Sequence, residues 1–330
     1  MKKFYALTIC CTALVLCYSF IGFRKQKSPL SFTGKPVNKE QLGEMLFFES
    51  KLSATKKISC ASCHIPAHGF ADTVAFSKGI HGYFGKRNAP SCTNLTDRPY
   101  LFYDGRATTI EDQVRFPIED PNEMGIAIAE VVKRLTKDKE YNTLFNEIFH
   151  EPPTETNLKV AIAAFERTLE TSHTPFDRYM SGDTLAISAA AERGRLLFMG
   201  TKAKCVECHF TPDFTGDEFR NIGLYDGVKY KDEGRAVISG NKADIGKFKV
   251  PGLRNVAVTA PYMHNGMFKT LKDVIEYYDD PYKVVPHPVN MDTVMSKPLH
   301  LTPQEKEDIE QFLRTLTDDR FMTKKKGTNH

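Results

Sequence analysis

Apolar residues recur at helical spacing at the end of each half of the chain. The two faces that they form consist of Leu158, Ile162, Phe165 and Leu169 in the first half, and of Ile309, Phe312, Leu313 and Leu316 in the second. Residues three to four positions apart share one side of an α-helix, so both segments are predicted to be helices with one buried face. Thr302-Pro303 followed by Glu305 is a typical helix start. Strand signals are scarce, and the long stretches between the helices are rich in Gly, Pro, Asn and Asp.

These helices belong to a pattern that occurs twice. Residues 164–169 (AFERTL) resemble residues 311–316 (QFLRTL). An apolar segment with a glycine, Gly43 or Gly194, precedes a C-x-x-C-H motif in each half. Each half therefore has the same order of helix, C-x-x-C-H motif, long irregular middle and closing helix. Three matches in register predict a duplicated, mainly α fold with long irregular loops and little sheet.

Two segments bound this arrangement. Residues 171–184 are polar and lack a clear apolar face, which favours a boundary between domains at 28–175 and 176–330. Near the N-terminus, Lys2-Lys3 precede a largely apolar, uncharged stretch, and basic residues follow it. This is the layout of a secretory signal peptide in residues 1–27, with an uncleaved membrane anchor as the alternative. Whether the segment is cleaved or kept as an anchor, the body of the protein is expected to be periplasmic.

The composition is that of a soluble globular protein. The 330 residues are 41% apolar and 26% charged, and the formal net charge is only +4. Part of this charge comes from three lysines at 324–326. Because no basic stripe is present in the sequence, no nucleic-acid partner is expected.

The strongest chemical signal is the C-x-x-C-H motif. Its two copies are formed by Cys60, Cys63 and His64, and by Cys205, Cys208 and His209. In c-type cytochromes two such thiols add to the haem vinyl groups, and the histidine becomes the proximal iron ligand. A zinc cage of four cysteines would not explain the histidine in both copies, and neither pair looks like part of a thioredoxin unit. Two covalently bound c-type haems, in two cytochrome-c-like domains, are therefore predicted.

The other cysteines are not expected to attach a haem. Cys10, Cys11 and Cys17 lie in the export segment. Cys92 stands alone, and we expect a buried packing residue there rather than a redox group.

Four further segments carry a resemblance to a known family. They are IHGYFGKRNAPS (80–91), LFYDGRA (101–107), PIEDPNEMG (117–125) and VPGLRNVAVTAPYMHNG (250–266). Together with the haem motifs they resemble the bacterial dihaem cytochrome c peroxidases and the related MauG enzymes, over residues 43–316. The resemblance implies that hydrogen peroxide is reduced at the N-terminal haem and that electrons enter through the C-terminal haem.

The resemblance also implies an acid/base pair. Splitting peroxide needs a group above the iron that moves a proton from the near to the far oxygen. Glu123 in PNEMG matches the family's catalytic glutamate, and Gln113 matches its partner. Outside this motif, Glu123 would be interpreted as a solvated loop carboxylate.

His81 matches the movable distal histidine of the peroxidases, which caps the peroxidatic iron in the resting enzyme. Gly79, Gly82 and Gly85 surround it, and glycines permit a large change of backbone conformation. A surface histidine is the alternative, and His68 is a rival ligand.

Asn88, Thr259 and Pro261 match positions that hold a calcium ion between the domains in the family. An amide side chain and backbone carbonyls are suitable oxygen ligands, although the sequence shows no acidic cage. Calcium is therefore a further, weaker expectation.

Two departures from the family pattern concern aromatic residues. The tryptophan that usually lies between the haems is replaced by Tyr103, and the chain has no tryptophan. A tyrosine can relay an electron if its proton has an acceptor; the alternative is an aromatic residue that only packs between the porphyrins.

The second departure is the distal ligand of the C-terminal haem. Peroxidases usually place a methionine where this chain has Tyr278, the residue that MauG-like proteins use. A phenolate ligand would lower the reduction potential. Met267, Met291 and Met295 are alternative ligands.

Three functions follow from these observations. The first is a cytochrome c peroxidase that takes electrons from a small periplasmic cytochrome c or cupredoxin. The second is a MauG-like oxidase that modifies a protein or aromatic substrate, and the third is an electron carrier without enzymatic activity. The peroxidase family is often dimeric, so a homodimer is also an expectation.

Overall fold

The computed structural model describes residues 32–318 and 320. The predicted signal segment 1–27, with its three cysteines, and the lysines at 324–326 lie outside these residues. Between residues 32 and 320, no described helix has the length and apolar character needed to cross a membrane.

Helices account for most of the regular structure. The α-helices of the described chain are α1 (Lys39–Phe47), α2 (Ile110–Glu119), α3 (Ile128–Lys137), α4 (Lys139–Phe149), α5 (Glu155–Arg167), α6 (Pro175–Met180), α7 (Ala189–Met199), α8 (Ala236–Ser239), α9 (Leu271–Asp279) and α10 (Pro303–Arg314). The strands β1 (Phe219–Arg220) and β2 (Phe248–Lys249) pair antiparallel, with Phe219 opposite Lys249. The prediction of a mainly α fold with little sheet is confirmed.

Helix α10 begins where the sequence predicts. The Thr302 hydroxyl accepts a hydrogen bond from the Glu305 amide at 3.2 Å, and the Glu305 carboxylate accepts one from the Thr302 amide at 2.7 Å. This reciprocal cap satisfies amides that have no partner in the first turn, and Pro303 at the first position lacks an amide hydrogen to satisfy. Local chemistry is therefore sufficient to set this helix boundary.

The closing helix of each half crosses the opening helix at a glycine. Helix α1 packs on α5, and α7 packs on α10. A Cβ atom at Gly43 would overlap the carbonyl oxygen of Ala161, and one at Gly194 would overlap that of Asp308. Both positions therefore require glycine because the two backbones touch there.

A trio of phenylalanines packs in the same way beside each helix crossing. In the first half, Phe47, Phe70 and Phe165 have ring-centroid distances of 5.2–6.3 Å and edge-to-face angles. In the second half, Phe198, Phe214 and Phe312 repeat the arrangement at 5.2–5.9 Å. Such tilted aromatic pairs are favoured by the charge distribution of the rings. The predicted buried faces of α5 and α10 contribute to these two cores.

Candidate active site

The N-terminal C-x-x-C-H motif forms one tight turn. Residues Cys60–Ser62 are a short 3-10 helix, and the amides of Cys63 and His64 donate to the carbonyl of Cys60 at 3.1 and 2.9 Å. The turn places both thiols and the imidazole close together. His64 Nδ1 lies 3.0 Å from the carbonyl oxygen of Phe70, which orients the ring and leaves Nε2 for iron. Burial lowers the pKa of His64, so the ring is neutral as a metal ligand must be.

The C-terminal motif has the same geometry. The amide of His209 donates to the carbonyl of Cys205 at 2.9 Å, and His209 Nδ1 lies 2.8 Å from the carbonyl oxygen of Phe214. Burial raises the pKa of Cys205 to about 12 and that of Cys208 to about 11. Both groups are therefore protonated thiols in this environment.

The two pairs of thiols do not meet. Cys60 packs against one hydrophobic cluster and Cys205 against another. Among residues 32–318 and 320, no group of three or more His, Cys, Asp or Glu side chains is placed to hold a metal ion. The donor set at each motif, two thiols and one oriented neutral imidazole, fits covalent haem.

A large cavity surrounds the C-terminal motif and extends to the first half of the chain. Its empty volume, which includes its opening to solvent, is about 2290 Å³. Leu253, Leu271 and Leu313 contribute apolar walls. Arg98 and Lys249 also line the cavity, and each forms an ion pair with Asp217. The cavity therefore fits a porphyrin.

Glu123 lies near the N-terminal motif. Its amide donates to the carbonyl of Asp120 at 3.0 Å in the turn after α2. The carboxyl interacts electrostatically with the thiols of Cys60 and Cys63. Burial, with a smaller contribution from Asp120, raises the pKa of Glu123, which suits a group that must both accept and donate a proton. Gln113 is half-buried on α2, and no hydrogen bond joins it to Glu123 in the described part of the chain.

The His81 loop packs against the loop of Glu123. A Cβ atom at Gly79 would overlap the carbonyl oxygen of Asn122, so these two backbones are in contact. The His81 side chain itself is exposed, and its backbone has φ 54°, in the left-handed region. Its rival His68 lies in the turn between His64 and Phe70, on the segment that supports the proximal histidine. The geometry therefore favours His81 over His68 as a distal group.

Tyr103 lies between the two halves of the described chain. Its carbonyl oxygen accepts a hydrogen bond from the Lys249 amide at 2.7 Å, and its ring lines the cavity. Burial raises the pKa of Tyr103, so its hydroxyl is protonated. The ring centroid lies 6.5 Å from that of His264, at an edge-to-face angle.

His264 is a site residue that the sequence analysis missed. Its ring stacks on Phe248 with a centroid distance of 3.8 Å and is 7% exposed. Burial lowers the pKa of His264 to about 4, so the imidazole is neutral. The only sequence feature that pointed to His264 was its position in the PYMHNG segment. No spacing rule connects His264 with Tyr103.

The three residues matched to a calcium site line the same cavity. They are Asn88, Thr259 and Pro261. Asn88 is buried, with Nδ2 donating to the carbonyl of Val74 at 3.0 Å and its amide donating to that of His264 at 2.7 Å. This leaves the Asn88 side-chain oxygen for a cation.

Tyr278 faces the C-terminal motif. It lines the cavity, and its hydroxyl interacts electrostatically with the thiols of Cys205 and Cys208, while burial raises its pKa. The hydroxyl of the neighbouring Tyr277 points to a different partner, since it donates a hydrogen bond to the carbonyl of Ile222 at 2.7 Å.

The alternative methionine ligands differ in position. Met295 lines the cavity with Tyr278, as does Met263, which the sequence analysis did not consider. Met291 packs against Gly223, and Met267 lines a separate shallow pocket beside Phe268. Met263 and Met295 are therefore the competitors of Tyr278.

Comparisons with known proteins agree with this geometry. A family model described as di-haem cytochrome c peroxidase matches residues 37–185, and one described as cytochrome c matches residues 191–317. The methylamine utilization protein MauG of Methylorubrum extorquens is 36% identical over 300 residues, which cover 89% of this chain and 83% of that protein. The cytochrome c551 peroxidase of Nitrosomonas europaea is 32% identical, with 84% of each chain covered.

A solved structure shows the same fold. The crystal structure of a MauG-like protein associated with microbial copper homeostasis superposes with a TM-score of 0.79 at 33% identity, covering 87% of this chain and 91% of that one. The chain therefore belongs to the family of di-haem cytochrome c peroxidases and MauG proteins, and it carries two covalently bound c-type haems.

Proposed function

We propose that this protein is a cytochrome c peroxidase that reduces hydrogen peroxide to water at the N-terminal haem. The observation that carries the proposal is the position of Glu123, a half-buried carboxyl with a raised pKa that interacts electrostatically with the thiols of Cys60 and Cys63. A solvated loop carboxylate would have neither property. An electron carrier without enzymatic activity has no use for such a group.

The haem supplies an iron that binds peroxide and the electrons that reduce it. Glu123 accepts the proton of the oxygen nearer the iron and returns it to the farther oxygen, which leaves as water. Gln113 is assigned to positioning peroxide beside that carboxyl. His81 is assigned to the gate, and its side chain is exposed to solvent.

Electrons enter at the C-terminal haem from a small cytochrome c or cupredoxin. Tyr103 is assigned to the connection between the two haems; the assignment is supported by its half-buried position at the cavity wall and by the hydrogen bond from the Lys249 amide to its carbonyl oxygen. The ring of neutral His264 lies beside it, with a centroid distance of 6.5 Å.

Several structural assignments are part of the same proposal. The haem domains comprise residues 28–175 and 176–330, and the enzyme is exported to the periplasm. Calcium binds Asn88, Thr259 and Pro261 at the cavity wall. A homodimer is tested by sedimentation of the holoprotein.

A MauG-like oxidase is the second candidate. It is favoured by the position of Tyr278 at the C-terminal haem cavity and by the relatives named MauG. An anionic oxygen ligand would lower the potential of that haem and slow its reduction by a mild donor.

Steady-state kinetics of the holoprotein distinguish these functions. Peroxide-dependent oxidation of a reduced small cytochrome c is measured with the enzyme fully oxidised and again after one-electron reduction. Fast turnover that Glu123→Gln abolishes supports the peroxidase. Negligible turnover in both states, with a haem spectrum that still responds to peroxide, favours the oxidase. Unchanged behaviour of Glu123→Gln toward peroxide favours the carrier.

A further inference from the structure

The loops that follow the two haem motifs differ in length, but each is joined to the end of its closing helix by a corresponding hydrogen bond. The amide of Asn94 donates to the carbonyl of Leu169 at 3.1 Å, and the amide of Asn255 donates to the carbonyl of Leu316 at 2.9 Å. Leu169 and Leu316 occupy the same place in the repeated segments AFERTL and QFLRTL. The two haem environments can therefore be compared position by position.

This comparison identifies two polar residues that only the N-terminal site has. Two positions before the matched asparagines, Cys92 corresponds to Leu253. Within the repeated segments, Glu166 corresponds to Leu313. Both leucines line the C-terminal haem cavity, so that site is apolar where the N-terminal site carries a thiol and a carboxyl.

Cys92 touches the proximal histidine. Its sulfur lies 3.2 Å from His64 Nδ1, the atom that also lies 3.0 Å from the carbonyl oxygen of Phe70. At the C-terminal site, His209 Nδ1 has the carbonyl of Phe214 at 2.8 Å and no thiol. The proximal histidine of the first haem thus has one more side-chain partner than that of the second.

Glu166 lies behind this thiol. It is 4% exposed, and its Oε2 atom is buried without a hydrogen-bond partner among the described residues. Its carboxyl interacts electrostatically with the thiols of Cys92 and Cys60. A buried carboxyl oxygen without a partner is costly, and such groups in native proteins usually serve a purpose.

A ligating histidine normally donates its second ring N–H to an acceptor, which makes the imidazole more basic and favours oxidised iron. Sulfur is a weak acceptor, so a thiol adds to the effect of a backbone carbonyl without replacing it.

We propose that Cys92, with Glu166 behind it, is a positioning residue that shares the Nδ1–H of His64 with the Phe70 carbonyl and lowers the reduction potential of the N-terminal haem. The thiol acts on the proximal side, away from the acid/base residues. The effect therefore exists whether or not the protein turns over peroxide.

The test uses reduction potentials of the holoprotein, measured by spectroelectrochemistry with the two haems resolved by electron paramagnetic resonance. Cys92→Val removes the acceptor at similar volume, and Cys92→Ser keeps one. Glu166→Leu reproduces the residue of the second half. Leu253→Ala is the matched control, because it changes packing at the corresponding position without adding a polar group. Haem content and far-ultraviolet circular dichroism establish folding.

Cys92→Val is expected to shift the N-terminal haem to a more positive potential and leave the C-terminal haem unchanged. In Cys92→Ser this potential is expected to stay near the wild-type value. In Glu166→Leu it is expected to become more positive, but by less than in Cys92→Val. The iron–histidine stretch of the reduced N-terminal haem should move to lower frequency in Cys92→Val. The proposal is overturned if Cys92→Val and Cys92→Ser shift equally, if both haems shift together, or if neither variant shifts. If Cys92→Val loses haem, the comparison of Cys92→Ser with Cys92→Ala decides in the same way.

Discussion

The backbone amide of Ile80 donates a hydrogen bond of 2.9 Å to the carbonyl oxygen of Glu123. The side chain of Ile80 is buried against Gly125, where a Cβ atom would overlap it. The residue before His81 is therefore fixed to Glu123, whose carboxyl is proposed to be catalytic. If His81 moves to reach the iron, it turns about its own backbone and that of Gly82, which has φ +81°, while Ile80 stays in place.

The first prediction concerns this contact. Gly79→Ala is expected to lower peroxidase turnover at least tenfold with full haem content, because its Cβ would overlap Asn122 and displace the Glu123 loop. Gly85→Ala is the matched control in the same loop, since the nearest atom to its Cβ is 3.7 Å away. Equal activity of both variants would show that the packing of the two loops does not position Glu123.

Removal of the acid/base group is the second prediction. Glu123→Gln should lower peroxide turnover by about 10²–10⁴ while leaving the reduction potentials in place. The carboxylate form accepts the first proton, so the wild-type rate should fall as the pH drops through the raised pKa of Glu123. Stopped-flow measurements from pH 4 to 8 test this, and an acid limb at the pKa of an ordinary glutamate would contradict it.

The third prediction concerns the distal ligand of the C-terminal haem. Tyr278→Met should raise the potential of that haem, because a neutral thioether stabilises ferric iron less than an anionic phenolate does. Met295→Leu and Met263→Leu should leave the potential of the C-terminal haem unchanged. Magnetic circular dichroism identifies the ligand directly. A lost thioether signal in either leucine variant would assign the ligand to that methionine.

The fourth prediction is a pH-dependent stability. Burial raises the pKa of Glu166 to about 8, whereas an unfolded glutamate titrates near pH ~4.3. Between these values the folded state holds a proton that the unfolded state has released, so the free energy of unfolding falls by up to about 1.4 kcal/mol per pH unit as the pH rises. This stabilisation is complete below pH ~4 and is lost as the pH passes 8.

Glu166→Gln removes the titrating group and should flatten the dependence between pH 5 and 8 in urea unfolding of the holoprotein. The exposed Glu130→Gln on α3 is the control and should keep the wild-type slope. A wild-type slope in Glu166→Gln would mean that bound haem or water already satisfies the carboxyl.

Sequence reasoning was sufficient wherever a few neighbouring residues determine the outcome. The cap formed by Thr302 and Glu305 is local chemistry, and the buried faces of α5 and α10 follow from helical spacing. The C-x-x-C-H motifs are equally local, because one short turn brings the thiols and the imidazole together. The fold and the haems could therefore be predicted.

Contacts between distant segments could not be predicted in this way. Cys92 was expected only to be buried, and its sulfur against His64 Nδ1 depends on how two loops pack. The stacking of His264 on Phe248 similarly joins residues from separate segments. The roles proposed for Glu123, His81 and Tyr278 come from the family resemblance, because no local pattern assigns them.

The hydrogen bond from the Lys249 amide to the Tyr103 carbonyl joins two segments of the main chain and involves no side chain. The position of residue 103 is therefore set independently of which aromatic ring it carries. Evolution could exchange a tryptophan for a tyrosine there without disturbing the junction between the halves. Under the proposed electron path through residue 103, a substitution there would change the oxidation chemistry of the path while this backbone contact between the two halves is kept.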